Sequence, residues 1–261
     1  MIKREENMLK AIKIKRHQMP KIGGRKIKYL LENQGDNYGR DKIFKLMKDN
    51  GLLVKRKKSY KVTTDSSNQE NRYRNLIKGT EVSRADEIYL ADITFIRLKQ
   101  AYKYLSLVMD SYSRKIIGYS LKDRISVEGC IEAIRKATEG KEKTEGIIHH
   151  SDQGSQYSSN KYKEEMESLG IKMSMSRKGN PYENAQIERV IGTLKREYQL
   201  GRKFTDENLI LPLIEEAINS YNSQRPHMSL GYKTPNEVYE KSTDNFGRAT
   251  PSLSYQGINI N

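Results

Sequence analysis

Cysteine is almost absent from this 261-residue chain. Its one thiol, Cys130, excludes an intramolecular disulfide framework and a cysteine-rich zinc site. The neighbours Val127, Ile131 and Ile134 are apolar, so a buried structural thiol is expected. Long apolar runs are missing too. No stretch approaches the ~20 residues of a membrane span, and the opening MIKREENMLKAIKIKRHQ has no apolar signal core. The expectation is a soluble, cytoplasmic protein with no membrane partner. Acidic residues are scarce in one region only. Residues 1–83 hold 22 Lys/Arg against 9 Asp/Glu, whereas residues 84–261 hold 26 against 24. A formal net charge of +15 points to a polyanionic partner, and most of it lies in the first third of the chain.

That third also carries helical periodicity. Met8, Ile12 and Ile14 give a weak helix over 6–17. Ile27, Leu30 and Leu31 give one over 25–33, and Ile43, Leu46 and Met47 one over 40–50, with Gly51 where a C-cap belongs. The last two, joined by QGDNYG, read either as a helix-turn-helix-like DNA-binding unit over 1–54 or as a plain hairpin with a solvated basic face. On the first reading Arg25, Lys26, Arg40 and Lys42 face DNA. Residues 55–84 read as a basic linker, with Lys55, Arg56, Lys57 and Lys58 as further contacts.

From residue 87 the period changes to two. EIYLADITFIRL, YKYLSLVMD and RKIIGYSLKD read as an antiparallel three-strand meander. A helix over 126–138, a strand at GIIHHS, a helix over 159–168, a strand at IKMSMS and a helix over 181–199 follow. This is a mixed α/β pattern, assigned to a core spanning 85–242. Residues 243–261 show little pattern and read as a tail.

Three carboxylates stand in that core. Asp92 lies inside the first strand, where a buried acid without a partner costs energy. Asp152 follows GIIHH at a strand end, where open α/β sheets bind ligands. Glu188 lies on the last core helix, with 35 residues between it and Asp152. At 100° per residue, Asn184, Glu188, Gly192 and Lys195 fall within roughly 40° of one face. Alone, each acid has an ordinary explanation: a solvent-facing strand residue, a turn residue, an exposed helix residue. Together they are hard oxygen ligands for divalent ions in a basic protein, which suggests phosphodiester chemistry.

The surrounding words narrow this. Tyr89, Asp92, Ile93, Thr94, Phe95 and Ile96, then Asp110, Ser113, Arg114, Ile116, Ile117 and Gly118, then HSDQGSQY from His150 to Tyr157, resemble insertion-sequence transposases of the IS-three group, OrfB type. Ser174 through Asn180, Asn184, Ala185 and Glu188, then Leu194, Lys195 and Glu197, and finally Tyr221 to Glu237 extend the match. Two positions depart from the family's pattern. Tyr89 replaces a tryptophan, keeping an aromatic ring, and Glu183 replaces an aspartate, keeping the charge.

The resemblance implies an RNase H-like mixed sheet flanked by helices, with a small all-α domain in front. It implies that Asp92, Asp152 and Glu188 hold two Mg²⁺ (or Mn²⁺) ions and catalyse cleavage at element ends and transfer of the freed 3′-OH strand into target DNA. It makes Lys195 a DNA contact near the site, and implies a prokaryotic, nucleoid-associated protein. Double-stranded DNA, a homo-oligomer on that DNA and the product of, or a fusion to, an upstream DNA-binding reading frame are the partners expected. A metal nuclease of the same fold and a non-catalytic DNA-binding derivative are the alternatives. His150 and Asp110 are left out of the catalytic set, and Arg225 is open between DNA contact and structure.

Overall fold

A computed structural model describes residues 2–54, 73–177 and 184–247. Lys55, Arg56, Lys57 and Lys58, with Glu183 and residues 248–261, lie outside the described residues.

Three helices form the N-terminal unit: α1 (Ile2–Gln18), α2 (Gly24–Glu32) and α3 (Arg40–Asp49). Met8 and Ile12 of α1, Ile27 and Leu31 of α2, and Ile43 and Met47 of α3 close one apolar cluster with Met19 and Ile22. Each such side chain contributes ~1.5–3 kcal/mol on burial. The weak period of 6–17 is thus the third wall that the other two helices require. Ile14 instead stands exposed.

The core begins with β1 (Ile88–Leu98), β2 (Tyr102–Asp110) and β3 (Ile116–Lys122), paired antiparallel as the alternation predicts. Then come α4 (Val127–Thr138), β4 (Ile148–Ser151), α5 (Asn160–Ser168), β5 (Lys172–Met175), α6 (Ala185–Glu197), β6 (Lys203–Phe204), α7 (Ile210–Ser223) and α8 (Pro235–Gly247). Ser126 and Ser159 cap α4 and α5 by accepting the Gly129 and Tyr162 N–H groups. The sheet order is β3-β2-β1-β4-β5, with β4 and β5 parallel to β1 and with β6 on the far end of β1.

Strand parity sorts the two faces. Ile88, Leu90 and Ile96 of β1 pack with Leu105 and Leu107 of β2 against α6 and α7. Tyr89, Ala91 and Val108 pack against α4 and α5. Gly118 allows the closest approach: a Cβ there would lie 2.0 Å from the Ala133 carbonyl oxygen of α4. Cys130 is buried on this face, and burial pushes its thiol up to about 12.

Two boundaries differ from the sequence reading. Within the supposed linker, Tyr73, Ile77 and Val82 pack on the core, and the Leu76 N–H donates to Ser174 Oγ at 2.9 Å. Apolar residues spaced by polar ones hide such a strap from composition. At the other end, α8 runs through the expected start of the tail, and Ser242 Oγ accepts the Ala85 N–H at 2.9 Å.

The end of α6 joins the N-terminal unit to the core. Arg225, 5% exposed, donates two parallel hydrogen bonds to Glu197, at 2.8 and 2.9 Å. Lys26 adds its ammonium at 3.6 Å, and the Lys21 N–H donates to the Glu197 carbonyl at 3.1 Å. Tyr29 stacks on Tyr232 with ring centroids 4.8 Å apart. Tyr198 touches both apolar clusters.

Candidate active site

Asp92 sits on β1 opposite Leu107 of β2, on the parity that faces α6 and α7. Its Oδ1 accepts the Ile93 N–H at 2.8 Å, which fixes the carboxylate beside the strand. The parallel register with β4 runs Ile88↔Ile148, Tyr89↔His149, Leu90↔His150. Continued by two residues, it brings Asp152 level with Asp92, and level residues of parallel strands share a face. Asp152 has left the strand by then. Its Oδ1 accepts the Gly154 N–H at 3.0 Å, a turn that holds the exposed carboxylate at the strand end. Among the described residues, no strand pairs with the β4 side of β1 beyond Leu90 until β6 pairs with Arg97 and Leu98. The Asn184 side chain partly fills the opening by donating to the Ala91 carbonyl at 3.2 Å.

Asn184 is the N-cap of α6, and Glu188 lies in the first turn. Ile187, Val190, Ile191 and Leu194 bury the stripe that seats the helix on the sheet. Glu188 stands exposed beside it. The three carboxylates feel one another. Burial, then Asp152, then Glu188 raise the Asp92 carboxyl to about 7, against the pull of the Ile93 N–H and Lys195. Burial and Asp152 raise Glu188. Burial lowers Lys195, which Asp92 partly offsets. Among the described residues no three His, Cys, Asp or Glu side chains stand close enough to grip one metal ion.

The expected DNA contacts divide. Arg25, Arg40 and Lys42 are exposed, Arg40 beside Asp41 at 2.8 Å and Lys42 beside Glu5 at 3.1 Å. Lys26 is a correction. Its side chain is 12% exposed and turned onto Glu197, and burial together with Arg225 lowers it to about 8. Helical periodicity placed it on the outer face, but the core covers that face. Lys195 reaches the Phe95 ring, its Nζ 4.1 Å from the centroid.

The residues left aside are structural. Asp110 is fully buried and accepts the Ser113 N–H at 2.7 Å and the Asp86 N–H at 3.0 Å. His150 is buried with Nδ1 2.9 Å from Ser174 Oγ. Arg225 belongs to the Glu197 pair. Asn222 bonds both the N–H and the carbonyl of Ile116 on β3, at 3.0 and 2.9 Å, and Tyr221 donates to the Arg114 carbonyl at 3.2 Å. The YNSQRPH segment therefore ties the sheet edge to α7. The role of Asn184 was missed. Its signal was the i to i+4 spacing to Glu188 on one helix face.

Comparison with known proteins follows the same geometry. Residues 82–181 and 169–235 each match an integrase core domain. The chain is 34% identical over 221 residues to the uncharacterized 31 kDa protein of insertion element IS600 from Shigella sonnei, covering 84% of this chain and 81% of that one. It is 33% identical over 226 residues to the transposase for insertion sequence element IS904 from Lactococcus lactis subsp. lactis, covering 85% and 88%. A chain of the simian T-cell lymphotropic virus intasome superposes with a TM-score of 0.53 at 16% identity, covering 92% of this chain and 74% of that one. The RNase H-like mixed sheet expected from the sequence is the fold observed.

Proposed function

Because the chain belongs to the insertion-sequence transposases with an integrase core, DDE polynucleotidyl transferases of DNA transposition and integration, we propose that Asp92, Asp152 and Glu188 are its catalytic carboxylates. Their substrate is the phosphodiester backbone at the ends of an element and in target DNA. The observation that carries this reading is the shared field of the three side chains, delivered by a strand, a strand end and a helix to the open edge of β1.

The donor set suits Mg²⁺ or Mn²⁺, since all three groups are carboxylates, and burial and neighbouring carboxylate charge raise Asp92 and Glu188. When bound, two such ions supply Lewis-acid polarisation of the phosphate and offset charge on the attacking and leaving oxygens. Asp92 and Asp152 present oxygens from rigid backbone, each braced by an N–H group. Glu188 approaches from α6, whose seat on the sheet sets its reach. Lys195, one helix face along, holds a phosphate of the strand in place. The attacking group is water in the cut and a DNA 3′-OH in the transfer, so no serine or tyrosine forms a bond to DNA. Two element ends joined in one event call for more than one copy on the DNA.

The test uses paired element-end duplexes and pre-cut ends with Mg²⁺. Wild type cuts the first and joins the second to target. Asp152→Asn does neither, with fold and DNA binding retained. Unchanged cutting by Asp152→Asn would remove the assignment, and cutting without joining by the wild type would make the protein a nuclease.

A further inference from the structure

The far end of β1 carries an aromatic pair that none of this chemistry uses. Phe95 is 42% exposed and Tyr102 52% exposed. Their rings meet edge to face, centroids 5.6 Å apart at 87°. Two cations flank Phe95: the Arg97 guanidinium carbon at 5.6 Å from its centroid and Lys195 Nζ at 4.1 Å. The sheet explains the exposure. Phe95 and Arg97, with register partners Tyr104 and Tyr102, occupy the face that α4 covers, but α4 lies toward β3, with Gly129 against Lys122 and Ser106, and both rings stay exposed. Lys195 comes from the opposite face, past the open edge of β1, and lies in the field of Asp92. Phe95 is three residues from Asp92, roughly 10 Å along an extended strand.

Single exposed rings are common and need no explanation. Two adjoining rings and two cations gathered at the far end of the strand that carries Asp92 are a different arrangement. Rings offer a π face that any base accepts, and the cations suit the phosphates between bases. A strand that puts a phosphate at Asp92 must run past this end of β1 or away from it. The positive charge and the rings favour the first. A base unpaired beside the cut would lose its stacking partner in the duplex, and an exposed ring supplies one.

We propose that Phe95 and Tyr102, with Arg97 and Lys195, form a stacking platform for one unpaired nucleobase of the DNA strand beside the scissile phosphate. This rests on the reading of the carboxylate site above. The platform positions the strand and takes no part in bond making.

Two measurements test it on the full chain. In the first, element-end duplexes carry 5-iododeoxyuridine beside the scissile position, and irradiated complexes are mapped by mass spectrometry. Crosslinks at Phe95 or Tyr102 are expected, and crosslinks confined to other residues would overturn the proposal. In the second, single-turnover cutting is compared on fully paired ends and on ends mismatched at the terminal base pairs. Phe95→Ala with Tyr102→Ala slows the paired end on the order of tenfold or more. The defect shrinks on the mismatched end, and Phe95→Trp restores the paired rate. Equal slowing on both ends, or no slowing, would overturn the platform. Crosslinking needs no catalysis, so a platform that crosslinks in a protein that never cuts would sink the carboxylate reading alone.

Discussion

The fold disturbs the ionisation of Asp92 strongly. Burial and the charges of Asp152 and Glu188 lift it from its ordinary 3.8 to about 7. Over that interval the folded protein keeps a proton that the unfolded chain has released. Stability therefore falls as pH rises from 3.8 to about 7. Asp92→Asn keeps the shape and removes the titration, so urea unfolding across this range should lose that slope while cutting is abolished. At neutral pH, Mg²⁺ should raise the melting temperature of the wild type and leave Asp92→Asn nearly unmoved. Gly118 makes a second prediction at this scale. Its missing Cβ would lie 2.0 Å from the Ala133 carbonyl oxygen, so Gly118→Ala must push α4 off β3. Overpacking of this kind costs about 1–3 kcal/mol, readable as a lower urea midpoint.

Elements differ in how openly the sequence declares them. The β1 to β3 meander is plain in its runs of β-branched and aromatic residues, such as Ile88, Tyr89, Ile93, Thr94, Phe95 and Ile96, separated by short polar turns. Asp152 and Glu188 are legible as residues, but their meeting depends on the β1–β4 register and on the seat of α6, which no local pattern contains. The helices α7 and α8 went unread as elements. Pro212 sits in the first turn of α7, where a helix tolerates it. The tie between Arg225 and Glu197 was likewise invisible, because 28 residues separate the partners. Arg225→Ala leaves Glu197 without its fork, and breaking such a buried pair costs about 3–5 kcal/mol. Arg225→Lys keeps the charge but not the two parallel bonds and should fall between. Thermal unfolding of the three proteins checks the order.

At the scale of the whole molecule, charge and architecture are divided between two parts that touch. The N-terminal unit and the segment after it hold most of the net positive charge, and the core holds the carboxylates. DNA affinity should fall steeply with salt, since each neutralised phosphate adds about 0.9 to the slope of log K against log salt. Arg25→Gln and Lys42→Gln should each flatten that slope, whereas Lys26→Gln should not, because its ammonium faces Glu197. Fluorescence anisotropy across a salt series separates the three.

The contact between the two parts bears on how the protein can be dissected. A fragment beginning at residue 84 would lose more than attraction for DNA. It would uncover Tyr232 and remove Lys26 from Glu197 at the foot of the same helix that carries Glu188. Weak binding and slow cutting by such a fragment would then share one origin, a loosened α6. A genetic screen should find the same thing from the other side, with lesions at Glu197 or Arg225 scoring as defects in both grip and chemistry while touching neither.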